Sequence, residues 1–290
     1  MASHADRPVV CFLEIDDLLM TASREAYRAA ASAFIALDRQ NIAIVLSSGQ
    51  TYRELAYITR SLRFWHPFIA EDGSAIGLPH GYFSTGIPDA SRGFFWDVID
   101  YGRSHCLVGD IVSAVARRLE IDVVRLSQLD TAHARSQFGL ADHLASRAIK
   151  RSYGDVLRPR DDSEASMVRL IAALQAERLR CTRRGRHLFV VPDQGGSRAV
   201  FRLRRLFLEH CADVQFVGIA TSGCAGLVPA VLDICLEVGC ATLRTTAQVV
   251  ADVVNEVRLF GTSAVGPVVT AMAAGYRESP GAQGLRPHQH

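Results

Sequence analysis

Short, continuously apolar runs alternate with helix-period segments along the first eighty residues. Pro8–Ile15, opening with the apolar run Pro8–Phe12, reads as a buried strand. Ser23–Arg39 carries Ala26, Ala30, Ala33, Phe34 and Leu37 at helical spacing, so it predicts an amphipathic helix. Asn41–Leu46 is a second apolar run and ends in Ser47-Ser48-Gly49. Thr51–Leu62 reads as a second helix, capped by Ser48 or Thr51. Pro67–Ala70 is a third short strand. Strand–helix–strand–helix–strand with short links predicts an α/β fold, a parallel sheet with right-handed crossovers.

From Gly81 the pattern changes. Gly81–Gly102 is rich in Gly, Pro and aromatic residues and reads as strands and turns, not as a crossover. Helical stretches follow at Val108–Arg118, Leu140–Arg151 and Ser163–Glu177. Arg180–Arg184 and His187–Val191 then read as two strands joined at Arg184-Gly185-Arg186. The α/β rhythm returns with the helix Ser197–His210, the strand Val214–Ile219 and the apolar run Val228–Val238. Helices near Thr245–Val257 and Val265–Ala274 close it. The expected organisation is a discontinuous α/β core (1–80 and 192–276), an inserted α+β module (81–191) and a disordered tail (277–290).

Composition narrows the function classes. The 290 residues are 49% hydrophobic and 21% charged, and the net charge of +2 is too small to suggest a nucleic acid as the main partner. The basic residues are almost all arginine, with Lys150 the single lysine, so a core cation must be an arginine. The seven cysteines form no Cys-x-x-Cys pair and read as reduced thiols of a cytosolic protein. No secretory signal opens the chain, and no apolar run is long enough to span a membrane.

Candidate chemistry sits where the first strand ends. Glu14, Asp16 and Asp17 follow the apolar run Pro8–Phe12, at the carboxyl end of a buried strand, where ligands bind in open α/β sheets. Phe12-Leu13-Glu14-Ile15-Asp16-Asp17-Leu18 resembles the nucleophile loop of the haloacid dehalogenase (HAD) phosphatases, usually Asp-x-Asp-Gly-Thr. Ser47-Ser48-Gly49-Gln50-Thr51 resembles the second motif of that superfamily. Within it, the order and spacing of further segments are similar to the mannosyl-3-phosphoglycerate phosphatase family. Those segments are Glu71-Asp72-Gly73-Ser74-Ala75-Ile76, Arg151-Ser152-Tyr153-Gly154-Asp155 and Thr182-Arg183-Arg184-Gly185-Arg186-His187.

The resemblance implies a HAD-like Rossmannoid parallel-sheet core with an inserted α+β cap, and a Mg²⁺-dependent phosphatase site. It places Glu14 at the nucleophile position and Asp16 at the acid/base position. Ser47 and Ser48 would hold phosphate, with Arg198 as the core cation and Arg183, Arg184 and Arg186 as alternatives from the cap side. Arg151, Tyr153, Asp155, Arg184 and Arg186 fall where the family recognises sugar and glycerate groups. Three departures bear on activity. Glu14 is one methylene longer than aspartate, and a misplacement of ~1 Å can cost about 100-fold in rate. Asp17 and Leu18 replace the Gly-Thr pair. Thr221, Cys224 and Ala225 stand at the metal-acid positions of the fourth motif, and no carboxylate lies between Asp213 and Asp233. Mg²⁺, if bound, would rest on Glu14 and the loop at Asp16.

Two readings stay open. One is a catalytically degenerate HAD protein kept for a binding, regulatory or structural role. The other is an active phosphatase for mannosyl-3-phosphoglycerate or a related phosphosugar acid. The combined losses at the nucleophile and metal positions favour the first. The partners expected are a phosphosugar or other small anionic ligand and a protein partner or second copy of the chain, with no nucleic acid and no membrane.

Overall fold

The computed structural model describes residues 8–14, 16, 19, 22–101, 105–193, 196–211, 213–220, 232, 234–237, 243–260 and 286–287. Strand β1 (Val9–Glu14) lies between β2 (Ile42–Ser47) and β11 (Gln215–Ala220), parallel to both. Every residue of β1 is buried. Alternate side chains face opposite layers, as a strand requires. Val9, Cys11 and Leu13 pack against α1 (Arg24–Arg39), α2 (Tyr52–Leu62) and α8 (Leu243–Phe260). Val10 and Phe12 pack against α7 (Gly196–His210) on the other face.

The sheet continues through β3 (Phe68–Ala70), then β4 (Ala75–Pro79), β6 (Trp96–Asp100) and β5 (Ala90–Arg92), the last three antiparallel additions. On the opposite side β12 (Ile234–Glu237) extends it, and β13 (Arg286–Pro287) pairs with β12. The parallel α/β sheet expected from the hydrophobic pattern is therefore present. The tail 277–290 is otherwise outside the described residues.

A second, four-stranded antiparallel sheet runs β7 (Val123–Arg125), β8 (Asp155–Pro159), β10 (His187–Pro192), β9 (Leu179–Arg184). Leu157, Leu188 and Val190 face α3 (His105–Leu119) and α6 (Glu164–Ala176). Val156 and Phe189 face α4 (Thr131–Phe138) and α5 (Asp142–Ala148).

Several elements differ from the sequence expectation. The stretch read as one helix from Leu140 to Arg151 is the shorter α5. It is preceded by α4, which Asp130 caps and Gly139 ends in the left-handed conformation. Only Ala134 and Phe138 of α4 are buried, too few apolar positions to declare a period. Strands β7 and β8 carry no alternating pattern because both their faces are covered. Residues 96–100 pair with β4 and residues 90–92 pair with 97–99, so the large sheet runs past residue 81, where the module was expected to begin. The helix expected near 265–274 lies outside the described residues. Among those described, Cys11, Cys106, Cys181 and Cys211 are free thiols, and no helix is long and apolar enough to cross a membrane.

Of the two proposed caps for α2, Thr51 is the one used. Its hydroxyl accepts from the Glu54 N–H at 3.1 Å, and the Glu54 carboxylate accepts from the Thr51 N–H at 2.8 Å, a capping box. Burial pushes the Glu54 carboxyl up to about 7, against the lowering effect of its bond from Thr51. Its folded pKa thus exceeds its unfolded value. The stabilisation it gives is complete below about 4.5 and lost as pH rises through about 7. Urea unfolding of wild type and Glu54→Gln between pH 4.5 and 8 is expected to show wild type losing on the order of 3 kcal/mol relative to the variant. A pH-independent difference would mean that Glu54 titrates as an ordinary carboxylate.

Candidate functional site

The parallel register brings Glu14 level with Ser47 of β2 and Ala220 of β11, at the carboxyl edge of the sheet. Asp16 follows, fully buried. Its Oδ1 accepts a short hydrogen bond from the Ser48 hydroxyl and another from the Gly49 N–H at 2.8 Å. Ser48 is itself anchored, its N–H donating to the Ile69 carbonyl at 3.1 Å. Asp17 and Leu18 of the predicted loop lie outside the described residues.

The turn after β3 supplies a further acid. Glu71, Asp72 and Gly73 have φ of +46°, +53° and +94°, the left-handed region that costs a non-glycine residue of order 1 kcal/mol or more. Two hydrogen bonds hold the turn: Glu71 N–H to the Gln50 carbonyl (2.9 Å) and Asp72 N–H to the Ser48 carbonyl (3.0 Å). The two acids then point to different partners. Asp72 turns to the end of β1. Glu71 accepts from the backbone N–H groups of Ser152 (2.9 Å), Tyr153 (3.0 Å) and Gly154 (2.8 Å) in the second module. Gly154 must be glycine, because a Cβ there would come 2.4 Å from the Val190 carbonyl oxygen.

Into this acidic corner the β9–β10 hairpin inserts Arg184. Its Nη2 lies 2.8 Å from Asp72 Oδ1, 2.5 Å from Asp16 Oδ2 and 3.5 Å from Glu14 Oε1. Its Nη1 donates to Asp72 Oδ2 at 3.3 Å. The guanidinium rests 4.4 Å from the Phe189 ring centroid, a cation–π contact. Burial by itself would lower the pKa of Arg184, but Asp16, Asp72 and Glu14 outweigh it and hold the group still more firmly protonated than usual. Asp72 sits below the ordinary carboxylate range: burial opposes this, and Arg184 overcomes it. Asp16 is raised, first by burial and then by the neighbouring Asp72 charge, with Arg184 acting against both.

The sequence-predicted residues divide sharply. Glu14, Asp16, Ser47, Ser48 and Arg184 come together. Arg151 is close by, but its Nη2 donates to the Gly49 carbonyl at 2.8 Å and pairs with Glu71 at 3.5 Å, so it joins the module to the sheet. Tyr153 is bonded to Asp100, and burial followed by that carboxylate raises its pKa. Asp155 is consumed by Arg125 (2.9 Å) and the Ser127 hydroxyl (2.6 Å). Arg183 is exposed and paired with Glu164, and Arg186 is exposed on the Gln137 carbonyl. Arg198, expected as the core cation, lies on the exposed face of α7 over the Tyr101 ring, in a surface groove with Asp89, Phe201 and Arg202. The cation brought to the acids is Arg184, because the hairpin turn reaches the sheet edge and the first turn of α7 does not aim there. Asp72 was seen only as part of a motif. Its role depends on a left-handed turn and on a partner 112 positions away, and neither leaves a local signal.

A divalent cation does not fit this arrangement. Glu14, Asp16 and Asp72 converge, but on a guanidinium, and no group of three His, Cys, Asp or Glu side chains among the described residues is disposed to hold a metal. Thr221, Cys224 and Ala225 lie outside the described residues and, by their chemistry, supply no carboxylate.

Glu71 is the acid with a purely structural task. Glu71→Gln is expected to lower unfolding stability by about 3 kcal/mol, since it weakens three charge-assisted bonds and leaves Arg151 under-neutralised. Chemical denaturation measures this directly; a loss within about 0.5 kcal/mol would place Glu71 among ordinary surface positions.

Comparison with known proteins agrees with this architecture. No known protein-family profile matches the chain. A glucosyl-3-phosphoglycerate/mannosyl-3-phosphoglycerate phosphatase of Methanococcoides burtonii is 24% identical over 213 residues, 73% of this chain and 78% of that protein. A protein of the same name from Persephonella marina is 22% identical over 227 residues, 74% of this chain and 78% of that one. The solved structure of a haloacid dehalogenase-like hydrolase from B. subtilis superposes with a TM-score of 0.51 at 12% identity, covering 83% of this chain and 98% of its own. The chain is thus similar to glucosyl-3-phosphoglycerate/mannosyl-3-phosphoglycerate phosphatases over about three quarters of its length, and it has the fold of a haloacid dehalogenase-like hydrolase.

Proposed function

We propose that this HAD-fold protein does not turn over phosphomonoesters and works in the cytosol through binding, as a regulatory or structural partner of a phosphosugar-type anion, another protein or a second copy of itself. The observation that supports this reading is Arg184 among Glu14, Asp16 and Asp72. A carboxylate nucleophile needs an oxygen lined up with phosphorus, and an acid/base needs an oxygen able to exchange a proton with the leaving group. Asp16 has Oδ1 engaged by Ser48 and Gly49 and Oδ2 against the guanidinium. Glu14 faces the same cation on a longer side chain. HAD phosphatases generally use Mg²⁺, and this chain lacks the fourth-motif acids that would help to hold it.

The second reading is a working phosphatase for mannosyl-3-phosphoglycerate or a related phosphosugar acid, the activity for which two relatives are named. The intact Ser48–Asp16–Gly49 cradle favours it. Phosphate release from p-nitrophenyl phosphate and from mannosyl-3-phosphoglycerate, with excess Mg²⁺, decides between them. We expect release no faster than the protein-free blank and no difference between wild type and Glu14→Gln. Turnover by wild type that Glu14→Gln abolishes would overturn the proposal.

A further inference from the structure

We infer that the Arg184 guanidinium is the resident cation of the acid cluster, in place of a divalent ion, and that the cluster binds a hard divalent cation only when this guanidinium is removed. The inference goes beyond the reading above and does not depend on the absence of turnover.

The geometry of Nη2 carries it. This nitrogen has two hydrogens but faces three carboxylates: Asp72 at 2.8 Å, Asp16 at 2.5 Å and Glu14 at 3.5 Å. One N–H pair cannot serve three acceptors with good angles. Asp16 Oδ2 shows the consequence: it is buried and, among the described residues, accepts no hydrogen bond despite its contact with Nη2. The two Nη atoms fork onto Asp72 (Nη2 to Oδ1 at 2.8 Å, Nη1 to Oδ2 at 3.3 Å), which leaves Asp16 and, at 3.5 Å, Glu14 to share the already engaged Nη2. For those two acids the guanidinium is a shared centre of positive charge, the role a small divalent ion plays.

The surroundings are shaped for that charge. Gly49 leaves the space: a Cβ there would come 2.6 Å from both Arg184 Nη1 and Phe189 Cδ1. Phe189 closes one face of the guanidinium. Gly185, at φ +58°, makes the tight turn that lets the strand before it end at the acids. Arginine does not lose its proton in proteins, so the charge is permanent. A divalent ion sharing the cluster would lie within a few ångströms of it in a poorly solvated site, and their repulsion makes the two mutually exclusive. With the guanidinium gone, Glu14, Asp16 and Asp72 would lose the cation they share, and carboxylate oxygens are the ligand type that Mg²⁺ or Mn²⁺ takes, so an added divalent ion could restore the charge balance.

Calorimetric titration of the full-length protein with MgCl₂ and MnCl₂ tests this without any substrate. Wild type is expected to show no binding into the millimolar range. Arg184→Ala should gain affinity by about tenfold or more, the loss of one buried charge partner. Asp16→Asn in that background should abolish the gain, and Arg184→Lys, which restores a cation, should behave as wild type. Arg184→Met keeps the side-chain stem on Phe189 and serves if the alanine variant does not fold. If both need Mg²⁺ to fold, the inference is supported. A wild-type Mg²⁺ site as tight as that of Arg184→Ala overturns it, as does a variant that gains no affinity, whether folded or not rescued by Mg²⁺. Turnover is not the readout, so metal bound by wild type and Glu14-dependent phosphate release remain separate failures.

Discussion

Three buried carboxylates at one sheet edge need a positive charge, because a low-dielectric environment does not tolerate that much uncompensated negative charge. In this protein the compensation is covalently attached. Arg184 reaches from a hairpin of the second module to Glu14, Asp16 and Asp72. Removing one partner of such a network leaves the others buried and unpaired, so the cluster and the docking of the module depend on each other.

The docking is reciprocal in charge. The sheet edge offers acids and carbonyls; the module answers with arginines and backbone N–H groups. Arg180 donates to the Asp72 carbonyl, Arg151 to the Gly49 carbonyl, and Glu71 accepts three N–H groups from residues 152–154. The left-handed turn at Glu71–Gly73 makes this possible by aiming consecutive acids at different partners. Its backbone strain is offset by the bonds that it positions. The edge between sheet and module is laced by the protein's own side chains.

Legibility followed the range of the interactions. β1, α1, β2, α2 and the β9–β10 hairpin were readable because each carries its own period, cap or turn residue. α4, β7 and β8 were not, since α4 buries too few side chains and the two strands owe their pairing to neighbours distant in sequence. The acid end of β1 was readable for the same local reason: charged residues directly after an apolar run. The cation was not. Arg198 and Arg184 are equally good arginines in a sequence rich in them, and only the path of the hairpin separates them.

The sequence by itself determined the parallel α/β core, the position of Glu14 and Asp16 at a strand end, and the lack of any carboxylate between Asp213 and Asp233. These follow from short-range periodicity and from residue chemistry. Tertiary structure alone decided that Asp72 completes the cluster, that Arg151 and Asp155 serve packing, and that Arg184 fills the corner. Those outcomes depend on pairing between residues from about 30 to more than 160 positions apart, and such pairing is set by where the chain brings polar groups together, not by the order in which they occur.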